Sequence, residues 1–447
     1  MRQDPIDRLL KPLDRFIRNQ SMAGLALFIS AAVALVLANS PWREAYHEFW
    51  EHSITVGLDT FIFERNLHHL INDGLMAVFF FVVALELKRE FLAGELSDPR
   101  NAILPLAASV GGMVFPALIF LAINNFQGPE TRGWGITMGT DTAFVLGLLA
   151  LLGKRVPPAI KALFITVAVT DDIASVTVIA LFYTSDISMM NLGIGAAFMV
   201  VLVAMNLLGV RSITAYGVIG IGGLWTAFML SGVHATVAGV LAALTIPVNT
   251  KMKERAYAKK IRELVDAFDR TKDTAAVTIT REQAHIITKV KRFSMAAESP
   301  LQRLEQALHP WVAFLVLPLF ALANAGIEFP DSISGVFASP VTMGVMLGLV
   351  LGKPIGLLLM SWTFVKFGWG KLGTGVNWGH MVAISVLSGL GFTMAIFISE
   401  LAFASEAMRA EAKLGILFAS VTAGIVGTWL FMRCKPVRSV GLLREPV

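Results

Sequence analysis

Stretches of about 20 apolar residues, the length a helix needs to cross a hydrocarbon core, recur along the whole chain. They fall near residues 22–39, 71–94, 102–124, 134–153, 158–183, 192–209, 213–231, 233–248, 309–327, 340–365, 379–403 and 412–432. The expected fold is an all-α polytopic membrane protein with about twelve transmembrane helices. Composition agrees, because 55% of the 447 residues are hydrophobic and 15% are charged, against roughly a quarter charged in soluble domains. The single cysteine, Cys434, allows no intramolecular disulfide and no cysteine metal cluster.

Basic residues in short loops mark the cytoplasmic side. The amino-terminal segment carries Arg2, Arg8, Lys11, Arg15 and Arg18, whereas the first connection, 41–69, is rich in Glu and His. Every second connection is basic: Lys88, Arg89 and Arg100, then Lys154, Arg155 and Lys161, then Arg211, then Lys251 to Arg303, then Lys366 and Lys371. The alternate loops YTSDISMMN and IEFPDSISGVFASP hold no Lys or Arg. Both termini are therefore expected in the cytoplasm, and the net charge of +5 reads as loop sorting, with no nucleic-acid partner implied.

The expected organisation is a cytoplasmic amphipathic segment at 1–21, helices 1–8 over 22–248, a charged cytoplasmic insertion at 249–307, helices 9–12 over 308–432, and a cytoplasmic tail at 433–447. In DPIDRLLKPLDRFIRN, the residues Ile6, Leu9, Leu10, Leu13, Phe16 and Ile17 share one face, the pattern of a helix in the headgroup region. The insertion mixes acidic and basic residues and should contain some helix.

Asp141, Asp171, Asp172 and Lys353 fall at about membrane depth. An ionised Asp or Lys at a helix centre costs about 2.5–3.5 kcal/mol on insertion scales, so such groups pair or line a watery cavity and mark an ion path. Adjacent residues on a helix point about 100° apart, so the two aspartates in VAVTDDIASV can hold different partners. Lys353 in LVLGKPIG suits one of them. The other is left facing a cavity, open to a cation or a proton. A hard monovalent cation needs oxygen ligands and negative charge, so it binds only when the proton leaves. That competition is the minimum machinery of exchange.

Two spans are interrupted by glycine. GWGITMGTDTAFVLGLL has Gly133, Gly135 and Gly139 before Thr140 and Asp141, and ISVLSGLGFTMAIF has Ser388, Gly389, Gly391 and Thr393. Paired interrupted spans point to inverted-topology repeats whose discontinuous helices cross at mid-membrane. The opened ends would need counter-charges, which Asp141 and Lys353 could supply. Other pairings of membrane carboxylates fit less well: an intramembrane aspartyl protease would need YD and GxGD motifs, and neither occurs. A retinal-type pump would need about seven spans.

At these residues the sequence closely resembles the NhaA-type sodium/proton antiporter family. The matching segments are INDGLMAVFFFVVALELKREFLAGEL, MGTDTAFVLG, AVTDDIAS, SGVHATVAG, RLEQALHPWVAFLVLPLFALANAG, LGKPIG and SGLGFTMAIFI. The resemblance implies that Asp172 is the cation and proton carboxylate and that Asp171 shares the site and pairs with Lys353. The same two aspartates would hold the transported Na+. Thr140 and Asp141 would support the helix break. Glu86, Arg89 and Glu90, with Glu305 and His309, match the family's pH-regulating positions. His234 is a further matching position, with a satisfied histidine at a helix start as the alternative.

The implied activity is electrogenic, pH-regulated export of Na+ or Li+ against proton entry by alternating access, without cofactor, in the bacterial inner membrane. A homodimer assisted by the loop around ITVGLDTFIF is also implied. A sodium-coupled organic-anion symporter of related architecture is the alternative. The chain departs from relatives at Gln306, where some have a second titrating histidine, and in the length of 249–307. Both departures bear on the pH set-point and neither touches the transport site.

Overall fold

The structure, a computed structural model, describes residues 20–58, 61–184, 187–271, 278–329, 335 and 337–434. The expected amphipathic segment at 1–21 and the expected tail at 433–447 lie almost wholly outside these residues.

Each apolar stretch is helical, as lipid-embedded backbone requires. Helix α1 (Gln20–Ala38) turns through 115° into the short α2 (Arg43–Glu51). An antiparallel hairpin follows, β1 (Ser53–Leu58) and β2 (Phe61–Asn66), in register from Ser53 opposite Asn66 to Leu58 opposite Phe61. It is the only sheet among the described residues, and it lies in the ITVGLDTFIF loop of an otherwise all-α fold. The alternation of Ile54, Val56 and Leu58 along β1 suits a strand.

The chain then runs through α3 (Leu67–Ala93) and α4 (Pro99–Ile123) into a 3-10 stretch, Pro129–Met138, and α5 (Thr142–Leu152). Next come α6 (Pro158–Phe182), α7 (Met189–Leu207), α8 (Ile213–Ser231) and α9 (Ala235–Thr245). Outside the bundle lie α10 (Glu254–Arg270) and α11 (Arg281–Ala297). The last spans are α12 (Pro300–Asn324), α13 (Pro340–Lys366), the pair α14 (Trp378–Leu387) and α15 (Phe392–Ala402), and α16 (Glu406–Arg433).

Among the described residues nine spans are long and apolar enough to cross unaided, and the two bent pairs raise this to eleven. Helix α9 is the exception. Its 11 residues reach about 16 Å at 1.5 Å each, against a hydrocarbon core of about 30 Å. Gly232, at φ +82°, ends α8, and Pro247 forces the preceding Ile246 into extended backbone. Helix α12 also differs from expectation: it starts at Pro300, inside the stretch assigned to the insertion. The insertion itself is a helical pair, joined by Lys251 N to Ala296 O at 2.9 Å and by the Tyr257 and Ser294 hydroxyls at 3.0 Å.

The order long helix, interrupted span, long helix occurs twice, from α4 to α6 and from α13 to α16. With alternate crossings, the two interrupted spans run in opposite directions. Helices α4 and α13, at the head of each triplet, touch backbone to backbone: a Cβ on Gly356 would stand 2.0 Å from Gly111 O, and one on Gly111 2.2 Å from Gly356 O. Small residues at such a crossing allow close approach in lipid. Gly356→Ala should therefore cost about 1–3 kcal/mol through overpacking, read as a lower midpoint of thermal unfolding in detergent. An unchanged midpoint would mean the two helices separate freely.

Along the seam between α15 and the pair α3 and α12, the half nearer the hairpin is closed. The buried rings of Phe80 and Phe320 stand 5.6 and 6.1 Å from that of Phe397. Beyond them, Asn324 joins His68 at 3.0 Å and Asn72 at 2.8 Å, and Glu400 pairs with Lys413 at 2.6 Å and Arg409 at 3.0 Å. The half nearer the insertion is open.

Candidate functional site

Asp171 and Asp172 lie midway along α6, 0% and 2% exposed. Successive residues diverge by about 100° on a helix, and the environments of the two carboxylates differ accordingly. Asp171 is saturated. Its Oδ1 accepts from Ser109 Oγ at 2.6 Å, and its Oδ2 accepts from Thr140 Oγ1 at 3.1 Å and from Lys353 Nζ at 3.1 Å. Asp172 faces a cavity instead, and its Oδ1 is buried with no hydrogen-bond partner.

The interrupted spans cross beside this pair. Asp141 N donates to Leu390 O at 2.8 Å. The Asp141 carboxylate accepts from Phe144 N at 2.9 Å, Thr393 N at 3.1 Å and Thr393 Oγ1 at 2.6 Å. One carboxylate thus caps the amino ends of both α5 and α15, the positive ends of their dipoles. Lys353 does the converse, donating to Met138 O at the carboxyl end of the 3-10 stretch. Glycine is needed where the spans touch: a Cβ on Gly139 would stand 2.9 Å from Met394 Cβ, and one on Gly391 3.2 Å from Gly139 O. A π-turn, Gly348–Gly352, directly precedes Lys353. Such turns are frequent at functional sites.

The cavity, of about 470 Å³, runs from the insertion side to this crossing. Glu86, Arg89, Glu90, Glu305, Gln306 and His309 line its mouth, and Asp141, Thr142, Asp172 and Thr393 its floor. At the mouth Arg89 bridges Glu305 at 2.6 Å and Glu90 at 3.0 Å, while His309 Nε2 lies 3.9 Å from Glu86. The structure therefore brings all the expected site residues to one cavity and its back wall except His234. That histidine holds the Tyr183 carbonyl at 3.0 Å, away from the cavity, joining the start of α9 to the end of α6.

Sequence reasoning missed Ser109 and Thr142. Hydroxyl residues are common in the small-residue stripes of membrane helices, so Ser109 in AASVGG carries no distinguishing signal. Among the described residues no group of three His, Cys, Asp or Glu could hold a resident metal ion. The floor instead offers hard oxygens and negative charge, which suit a transient monovalent cation.

A family described as Na+/H+ antiporter 1 matches residues 14–431. A protein named Na(+)/H(+) antiporter NhaA from Oleidesulfovibrio alaskensis is 44% identical over 430 residues, covering 96% of this chain and 95% of its own. Another of that name, from Acidithiobacillus ferrooxidans, is 44% identical over 428 residues, covering 95% and 98%. A solved structure of the sodium proton antiporter MjNhaP1 from Methanocaldococcus jannaschii aligns over 92% of each chain at a TM-score of 0.46 and 12% identity, too slight a likeness to carry an argument.

Proposed function

This chain belongs to the Na+/H+ antiporter 1 family, and from that premise we propose how its cavity couples the two ions. It is a polytopic membrane transporter that exchanges Na+ for H+. The observation that carries the coupling is the unpartnered Asp172 carboxylate at the cavity floor, beside an Asp171 whose oxygens are already engaged. A buried carboxylate without a partner is costly when charged. A proton relieves the cost by neutralising it, and Na+ or Li+ relieves it by pairing. The two cannot do so at once, so binding one releases the other.

The basic loops favour a cytoplasmic insertion and cytoplasmic termini, an orientation in which the open mouth is cytoplasmic and the aromatic closure extracytoplasmic. In this arrangement the core takes Na+ or Li+ from the cytoplasm, moves, and returns carrying protons. The cycle needs no cofactor and makes no chemical change in its cargo, which separates it from an enzyme. If Asp172 and a second group, Asp171 or Lys353, are both reprotonated for each cation released, one net positive charge moves inward. Membrane potential then adds about 2.3 kcal/mol per 100 mV.

The Arg89, Glu90 and Glu305 bridges, with Glu86 and His309, fit a pH-responsive mouth, since protonating those carboxylates weakens their hold on Arg89. The β1–β2 hairpin suits a dimer contact across its edges, and the bacterial inner membrane is the setting the family implies. An organic-anion symporter is disfavoured by a floor that carries two carboxylates.

The test uses proteoliposomes with an internal pH dye. Na+ or Li+ should dissipate a preformed pH gradient, K+ should not, and an imposed diffusion potential should change the rate. Absence of a sodium response would reject exchange, and a rate indifferent to potential would reject net charge movement.

A further inference from the structure

Three buried side-chain oxygens of cavity-lining residues make no hydrogen bond: Glu305 Oε2 at the mouth, and Asp172 Oδ1 and Thr142 Oγ1 at the floor. An unsatisfied buried hydroxyl costs about 1–3 kcal/mol, and neighbouring threonines avoid that cost. Thr137, Thr166 and Thr170 donate to backbone carbonyls, and Thr140 and Thr393 to carboxylates.

The helix break explains why Thr142 differs. A helical threonine ordinarily bonds the carbonyl three or four residues back. Thr142 opens α5, so those carbonyls belong to Gly139 and Met138, on the far side of the interruption. The Met138 carbonyl is already taken by Lys353. The hydroxyl is left without a partner at the floor of a charged cavity.

We propose that Thr142 Oγ is a ligand of the transported cation, acting with Asp172. A hydroxyl oxygen has lone pairs for a hard cation and adds no charge, so it strengthens cation binding without holding a second exchangeable proton. The positive amino end of α5 would oppose a cation here, but Asp141 caps that same end and offsets it. The assignment rests on Asp172 being the exchange site.

The test compares Thr142→Val, nearly isosteric but without the hydroxyl, with Thr142→Ser, which keeps it. In proteoliposomes at fixed pH, Thr142→Val should raise the KM for Na+ by about tenfold, equivalent to ~1.4 kcal/mol, with the loss in KM more than in maximal rate. Thr142→Ser should stay close to the parent. Thermal unfolding supplies a readout that a purely structural threonine would not give. Without Na+ the valine variant should be at least as stable as the parent, because it lacks an unsatisfied group, and added Na+ should stabilise it less.

A parental KM and a parental sodium-dependent shift in Thr142→Val would overturn the proposal. So would a drop in sodium-free stability with unchanged KM, which would make the residue structural. Asp172→Asn separates the two levels. If it still exchanges, the underlying site reading fails; if it is inactive while Thr142→Val behaves as the parent, only the ligand assignment fails.

Discussion

Asp172→Asn should reduce sodium-evoked pH change in proteoliposomes to the level of empty vesicles, while leaving the fold as stable as before or more so. Asparagine matches the volume of aspartate but has no charge for Na+ and no proton to trade near neutrality. Because Asp172 Oδ1 has no hydrogen-bond partner, its loss leaves no donor stranded. It also removes a charge that costs about 2.5–3.5 kcal/mol at a helix centre. Loss of exchange together with an unchanged or raised unfolding midpoint is therefore the expected signature. Retained exchange would reject the site, and loss of both would mean that Asp172 holds the bundle together.

Lys353 should behave in the opposite way. Lys353→Met strips the Asp171 carboxylate of its counter-charge in a fully buried setting and leaves the Met138 carbonyl without its donor. Breaking one partner of a buried pair costs about 3–5 kcal/mol, so the unfolding midpoint should fall sharply. Neutralising the remaining partner should recover much of the loss. Asp171→Asn in the same chain leaves no stranded charge: its amide oxygen can accept from one of the Ser109 and Thr140 hydroxyls, and its NH2 can donate to the other. A double variant no more stable than Lys353→Met would show that Lys353 acts chiefly through the Met138 carbonyl.

The helical spans could be read from hydropathy because lipid leaves the backbone few alternatives. The crossing could be read because glycine before Thr140 and before Thr393 weakens a helix wherever it lies. The separation of Asp171 from Asp172 followed from helical geometry alone. Length was harder to read: the apolar run 233–248 looked like a full span, but Gly232 and Pro247 cut its helix to α9. Amphipathic residues 300–307 resembled the polar insertion, though they are the first turns of α12, which brings Glu305 and His309 to the cavity mouth.

Partners at a distance were hardest. His234, read either as a pH-regulating position or as a satisfied histidine at a helix start, bonds the Tyr183 carbonyl at the end of α6. Nothing local distinguishes Ser109 from the small residues beside it. The stranded Thr142 hydroxyl becomes visible only once the Met138 carbonyl is seen to be occupied.

The hydrogen bonds and ion pair around Asp141, Asp171 and Lys353 run among α4, α6, α13 and the two interrupted spans, and none reaches α3 or α12. Across the seam, next to that network, the Phe397 ring meets those of Phe80 and Phe320. Directional bonds must break to let their partners shift, whereas ring surfaces hold through many weak dispersion contacts that can be exchanged a few at a time. In the alternating-access cycle proposed above, the aromatic trio would serve as a bearing for the ion-carrying body, its freight held by bonds that need not be traded during the journey.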